Sequence, residues 1–102
     1  MATYGNTEIG GKVFPSPKDP SDRVVYRMDY SDELDTGETI STRTVTITES
    51  GLIKDSDAIN GSFVDVTVSG GTAGKRYPIV FSITTSNARE LNRTGFVMVE
   101  EL

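Results

Sequence analysis

Apolar residues alternate with polar residues at a period of two along most of this 102-residue chain, and no stretch shows a helical period. The alternation of Val64, Val66 and Val68 with polar neighbours is typical of a half-buried strand. Turn residues interrupt the alternation every eight to fifteen residues, which favours an all-β sandwich of about six or seven strands. The predicted strands cover residues 24–30, 39–48, 52–53, 64–68, 77–85 and about 90–100.

The register of the second predicted strand is ambiguous. Val45 and Ile47 face one way together with Arg43, whereas Ile40 faces the opposite way unless a bulge intervenes. The polar segment Asp55–Gly61 is predicted to be a loop that ends in the hairpin signal Asn-Gly.

The stretch SGGTAGKRYPIV, residues 69–80, has three glycines in five residues and could be a phosphate loop or a β-corner. A phosphate loop needs glycine at Ser69, a hydroxyl residue at Arg76 and a helix downstream, and the sequence has none of these. The corner interpretation predicts that Tyr77 is buried and that its hydroxyl bonds to backbone near the glycines, a device of immunoglobulin-like sandwiches. The order of elements from Val64 onward matches the last three strands of an immunoglobulin-like or fibronectin-type-III-like domain.

Composition limits the chemistry of the chain. With no cysteine and no histidine, it lacks thiolate metal ligands, disulfides and the commonest general base. A net charge of −5 argues against a nucleic-acid partner, and no apolar run has membrane-spanning length. The sequence predicts a soluble, non-enzymatic protein that is made in the cytoplasm and needs no cofactor or metal.

Residues 1–21 differ from the rest because they show no period and hold Pro15, Pro17 and Pro20. We predict an extended N-terminal arm over residues 1–21 and a β-sandwich domain over residues 22–102. A disordered leader is the alternative for the isolated protein.

Two further predictions concern acidic segments. Residues 29–38 are predicted to form a solvated loop between strands. The Asp55–Asn60 segment departs too far from the pattern of a calcium loop to bind the ion.

Two pairs of basic residues flank the predicted penultimate strand, Lys75 and Arg76 before it and Arg89 and Arg93 after it. In a sandwich, opposite ends of that strand can hold the two pairs, so they need not form one patch. The simplest interpretation of these four residues is that they are exposed charges on the surface. The functional interpretation is that they contact a partner protein. The residues predicted to contact other proteins are Ile9, Val13, Phe14, Lys75, Arg76, Arg89 and Arg93.

Several motifs, in order over residues 18–89, resemble a family of small bacteriophage virion proteins of the tail-fibre adaptor type. They are Lys18-Asp19-Pro20, Ser31-Asp32-x-Leu34, Gly37-x-Thr39-Ile40, Ser69-Gly70-Gly71-Thr72-Ala73-Gly74-x-x-Tyr77 and Ile83-Thr84-Thr85-Ser86-x-x-Arg89. The family often has an aromatic residue at the position of Glu33, so this chain is expected to present a different partner surface there.

The resemblance implies an immunoglobulin-like sandwich in a virion and an adaptor that joins tail or baseplate to a fibre, in six or twelve copies. The implied partners are other virion proteins, including further copies of this chain, with no nucleic acid or membrane. Capsid decoration, a head–tail connection and a sugar-binding or adhesive module are the alternatives.

Overall fold

The computed structural model describes the backbone of residues 3–8 and 12–13, and the backbone and side chains of residues 17–102. All the regular elements in these ranges are strands, so the all-β prediction is confirmed. In chain order the strands are β1 (Thr3–Glu8), β2 (Lys12–Val13), β3 (Val24–Asp29), β4 (Ile40–Ile47), β5 (Leu52–Asn60), β6 (Phe63–Gly70), β7 (Arg76–Thr85) and β8 (Glu90–Met98).

The strands form two four-stranded sheets, with the orders β1-β3-β6-β5 and β2-β8-β7-β4. The six strands β3 to β8 pair in antiparallel fashion within their sheets. β1 and β2 are added in parallel to the outer edges of β3 and β8. Within the described ranges, no helical segment has the length and apolarity needed to cross a lipid bilayer.

Alternate residues of both sheets meet in one hydrophobic core, as the period of two requires. Tyr26, Tyr30 and Tyr77 are among its largest fully buried side chains. The Tyr30 hydroxyl donates to the carbonyl of Phe81 at 3.2 Å, which ties the end of β3 to the facing sheet. The architecture is therefore that of a β-sandwich, whereas its assignment as immunoglobulin-like or fibronectin-type-III-like stays a prediction.

A bulge resolves the register of β4. Val45 faces Phe81 of β7, and the pairing shifts between Ile40 and Thr42. The shift turns Ile40 inward, so Ile40 and Val45 are both buried despite their odd spacing.

The prediction of a polar loop over Asp55–Gly61 was wrong, because this segment belongs to β5 apart from the final glycine. β5 is an edge strand whose middle is exposed, so it lacks the apolar alternation by which a strand is recognised. The hairpin signal was sound: Asn60 pairs with Phe63 across Gly61-Ser62, and Gly61 has φ of +62°.

The segment before β3 lies alongside the end of the last strand, β8, and parallel to it. Lys18 forms a parallel bridge with Val99, donates its N–H to the carbonyl of Met98 at 2.8 Å and accepts the N–H of Glu100 at 2.9 Å. Residues from Lys18 onward are thus fixed to the sandwich. The division of the chain at residue 21 stays a prediction.

Candidate functional site

The glycine corner, residues Ser69–Gly74, joins β6 to β7 and folds around Tyr77. The backbone N–H of Thr72 donates to the Tyr77 hydroxyl at 2.8 Å, and the ring is fully buried. Hydrogen bonding to the Thr72 side chain, and less so to its backbone, lowers the pKa of that hydroxyl. The sequence-based prediction for Tyr77 is confirmed.

Glycine is required at two positions around this tyrosine. Gly71 has φ of +99°, and a Cβ there would lie 2.7 Å from a methyl carbon of Val99. Gly51, with φ of +113°, would place a Cβ 2.9 Å from the Tyr77 hydroxyl oxygen. At Gly71 and Gly51 the backbone is therefore packed too closely for a side chain and has a φ that other residues rarely adopt.

Lys18 is a buried residue whose role was missed by sequence reasoning. Its ammonium donates to the carbonyls of Gly70 at 2.6 Å and Asp19 at 2.8 Å, and no part of the residue is exposed. Burial lowers its pKa, while Asp22, Asp19 and Asp55 oppose the shift. No local pattern distinguishes such a lysine, because its acceptor at Gly70 is 52 residues away in sequence.

Lys75 and Arg76 lie beside the glycine corner and are both exposed. Lys75 pairs with Glu49 at 3.2 Å and lies over the Tyr77 ring. The guanidinium of Arg76 lies 5.0 Å from the centre of the Phe96 ring, and no carboxylate of the described residues pairs with it. Among the described residues, Arg76 thus contacts an aromatic ring and not a carboxylate.

Arg89, just before β8, and Arg93, within β8, bind the acidic loop, residues Ser31–Glu38. Arg89 donates from Nε to Glu38 at 3.0 Å and from Nη2 to the carbonyl of Glu33 at 2.8 Å. Arg93 pairs with the Glu33 carboxylate, and the Thr85 hydroxyl donates to Glu38.

The prediction that the whole acidic loop is solvated was wrong at Glu38, which is only 6% exposed. The bonds from Arg89, with those from the Asp35 backbone and Thr85, lower the pKa of Glu38 to about 2 from its ordinary 4.5. A sequence interpretation that treats each charge alone cannot find this pairing, since Arg89 is 51 residues from Glu38.

Lys75 and Arg76 thus lie at the start of β7 and Arg89 lies beyond its end, whereas Arg93, in β8, pairs with Phe81 near the middle of β7. The two basic pairs are therefore separate and do not form one patch. Ile9 and Phe14 lie outside the described residues, and only the backbone of Val13 is described, in β2 opposite Phe96. Contact of any of the seven predicted interface residues with another protein stays a prediction.

In the part of the chain with described side chains, no group of three or more acidic residues is arranged to hold a metal ion. The aspartates of β5 have other partners: Asp55 pairs with Arg23 at 3.0 Å, and Asp57 pairs with Arg43 and Lys54, each at 2.8 Å. Burial would raise the pKa of Asp57, but the bonds from Lys54 and Arg43 outweigh it and hold that pKa below its ordinary value.

Comparison with known proteins shows a similar solved fold and a family. The fold is similar to the crystal structure of a cysteine protease inhibitor, EhICP2, from Entamoeba histolytica, with a TM-score of 0.56 and 14% identity over 98% of this chain and 97% of that one. At this identity the similarity concerns the fold alone. No curated protein matches the sequence. The model of the family "Podophage GP4 fiber-tail adaptor protein gp77" matches residues 18–98, and the chain therefore belongs to this family of bacteriophage tail-fibre adaptors.

Proposed function

We propose that this structural virion protein joins the phage tail or baseplate to a fibre through contacts made by its N-terminal arm and by the loops at one end of the sandwich. The observation that carries the proposal is the placement of β1 and β2, which pair with the outer edges of both sheets. A segment that adds strands to sheet edges can dock by main-chain hydrogen bonds on a neighbouring subunit in the same way.

The glycine corner is the end of the sandwich that we assign to partner contacts. Thr72, Ala73, Gly74, Lys75 and Arg76 are all exposed there. Arg76 has no carboxylate partner among the described residues, whereas Arg89 and Arg93 are engaged by Glu38 and Glu33. A partner carboxylate would therefore bind Arg76 without breaking an existing pair.

The adaptor role also makes catalysis, nucleic-acid binding and membrane binding unnecessary. We propose that the chain has none of these activities, since it lacks histidine and cysteine and its charge of −5 repels phosphates and anionic lipids. It would be made in the host cytoplasm and be assembled there into the particle.

The test is incorporation into particles after the arm is removed. Deletion of residues 2–16 keeps Lys18 and its bonds, so the truncated chain should fold, as measured by thermal unfolding, but be absent from purified particles. The matched control replaces residues 2–16 with a glycine-serine segment of equal length, which separates the need for the arm's sequence from the need for its length. Incorporation of both variants at wild-type copy number would refute the role of the arm.

A map of the intact particle tests the position in the virion. A few symmetric copies at the tail, beside the fibre, are expected. A shell of many copies over the capsid would contradict the adaptor role.

A further inference from the structure

We propose that the neighbour on which the arm docks is a second copy of this chain, and that β1 and β2 of one copy pair with β3 and β8 of the next. This inference rests on the proposed docking role of the arm and names its partner. Three features of the molecule support it: the edges that accept strands, the state of the opposite edges, and the fixed base of the arm.

The accepting edges are those of β3 and β8. The pairs Thr3–Val24, Tyr4–Val25, Thr7–Arg27 and Glu8–Met28 define the first ladder, and Lys12–Gly95 and Val13–Phe96 define the second. These edges are complementary to the arm of this chain, and every copy carries the same edges and the same arm. Exchange of an identical segment between copies preserves each main-chain hydrogen bond of the ladder.

The opposite side of the sandwich, formed by the edges of β4 and β5, is closed by side chains. Arg43 of β4 donates to the carboxylate of Asp57 at 2.8 Å and to its carbonyl at 3.0 Å. Lys54 of β5 donates in return to the carbonyl of Val45 at 3.1 Å. These bonds join the two edges across the gap between the sheets and occupy acceptors that an added strand would need. Strand addition is therefore directed to the β3 and β8 side.

The base of the arm cannot move with it, because Lys18 is held by two backbone bonds and two side-chain bonds. Only residues 14–17 connect this fixed point to β2, and two of the four are prolines, Pro15 and Pro17. Proline lacks the N–H of a ladder and restricts the chain in the hinge. The five Cα–Cα steps from Val13 to Lys18 span at most about 18 Å, so the exchanging copies must be in direct lateral contact.

Exchange is favoured in the particle and not in dilute solution. The arm finds its own edges at a high effective concentration in a free chain. Neighbours held side by side by the tail present equivalent edges at a similar effective concentration. The free energies of the exchanged and the unexchanged arrangement then differ only by the conformational cost of the connection between β2 and Lys18.

The absence of cysteine permits a direct test. Particles are assembled from an equal mixture of a Tyr4→Cys chain and a Val25→Cys chain, one of them isotopically labelled, and are then oxidised. Tyr4 and Val25 are register partners, so their Cα atoms suit a disulfide only when β1 of one copy lies on β3 of another. The matched control pairs Tyr4→Cys with Ser56→Cys, an exposed position in β5 on the closed side.

We expect the Tyr4–Val25 mixture to give disulfide-linked pairs of copies in about tenfold excess over the control mixture, because exchange fixes the two thiols at a high effective concentration. A chain carrying both substitutions should form the internal disulfide when monomeric, which shows that the substitutions preserve the fold and register. Equal yields in the two mixtures would overturn the inference, even if arm deletion still abolished incorporation. If neither single variant enters particles, the same two mixtures are oxidised as purified chains at millimolar concentration. The yield of disulfide-linked pairs in the Tyr4–Val25 mixture is again compared with the yield in the control mixture, and equal yields would again overturn the inference.

Discussion

Substitutions at Tyr77 separate the hydrogen bond at the glycine corner from the packing of the ring. Tyr77→Phe removes the hydroxyl that accepts the N–H of Thr72 at 2.8 Å and leaves the buried ring in place. Because Thr72 is exposed, water can replace the lost acceptor, and the cost should be about 0.5–1 kcal/mol. Tyr77→Ala also removes a fully buried ring, and the cost should rise to about 3–5 kcal/mol.

The contact with Gly51 allows a sharper test of the same geometry. Gly51→Ala would place a methyl group 2.9 Å from the Tyr77 hydroxyl oxygen and would also strain the backbone. Removal of the hydroxyl relieves the contact but not the backbone strain. The double variant Gly51→Ala/Tyr77→Phe should therefore be more stable than the sum of the single effects predicts, by about 0.5 kcal/mol or more.

Urea unfolding of the wild type and the four variants measures the single changes in free energy and the coupling between Gly51 and Tyr77. In thermal unfolding of a chain of this size, the Tyr77→Phe change corresponds to a fall in Tm of about 2–5 °C and the Tyr77→Ala change to a fall of more than about 12 °C. A Tyr77→Ala midpoint equal to that of the wild type would refute the burial argument. Additive effects of Gly51→Ala and Tyr77→Phe would refute the argument from close approach.

Three further changes test other contacts. The pKa of Glu38 is about 2 in the folded chain, below its ordinary 4.5, so its ion pair should stabilise the fold above pH 4.5, and this stability should be lost as the pH falls to 2. In the Glu38→Gln variant, the free energy of unfolding should therefore fall less between pH 4.5 and pH 2. A pH dependence equal to that of the wild type would contradict the pairing. Lys18→Met should lower the free energy of unfolding by about 1–3 kcal/mol in urea, since it removes charged donors from two carbonyls; a stable variant would show that those carbonyls find other donors. Gly71→Ala should destabilise the chain more than Gly74→Ala, whose Cβ would meet nothing within 4 Å, and equal Tm values would contradict the packing at Val99.

The sequence by itself determined the class of fold and the position of most strands. The period of two in Val64–Val68 and Tyr77–Ile83 places one apolar residue in the core at every second position, and this relation is local. The corner at Tyr77 was also predictable, because its glycines and its tyrosine lie within nine residues of one another.

Features that depend on distant partners were not predictable in this way. β5 is a strand because β6 supplies its hydrogen bonds, although its own residues read as a loop. Lys18 is buried because Gly70 offers a carbonyl, and Glu38 is buried because Arg89 and Thr85 satisfy its charge. The bulge at Ile40 was identified as an ambiguity and was resolved by pairing with β7.

The same distinction holds for the surfaces that contact partners. Composition and alternation predicted an arm and several exposed cations, since those are properties of single segments. Of these cations, Lys75 and Arg76 are exposed, whereas Arg89 and Arg93 are partly buried. Only the tertiary structure shows that Arg89 and Arg93 pair with Glu38 and Glu33, whereas Arg76 lies over the Phe96 ring. It likewise shows that the side chains of Arg43 and Lys54 bond to backbone carbonyls between the edges of β4 and β5. The physical reason is that a charge or a strand edge is paired or unpaired according to what the fold places beside it, and that neighbour is up to 60 residues away in the chain.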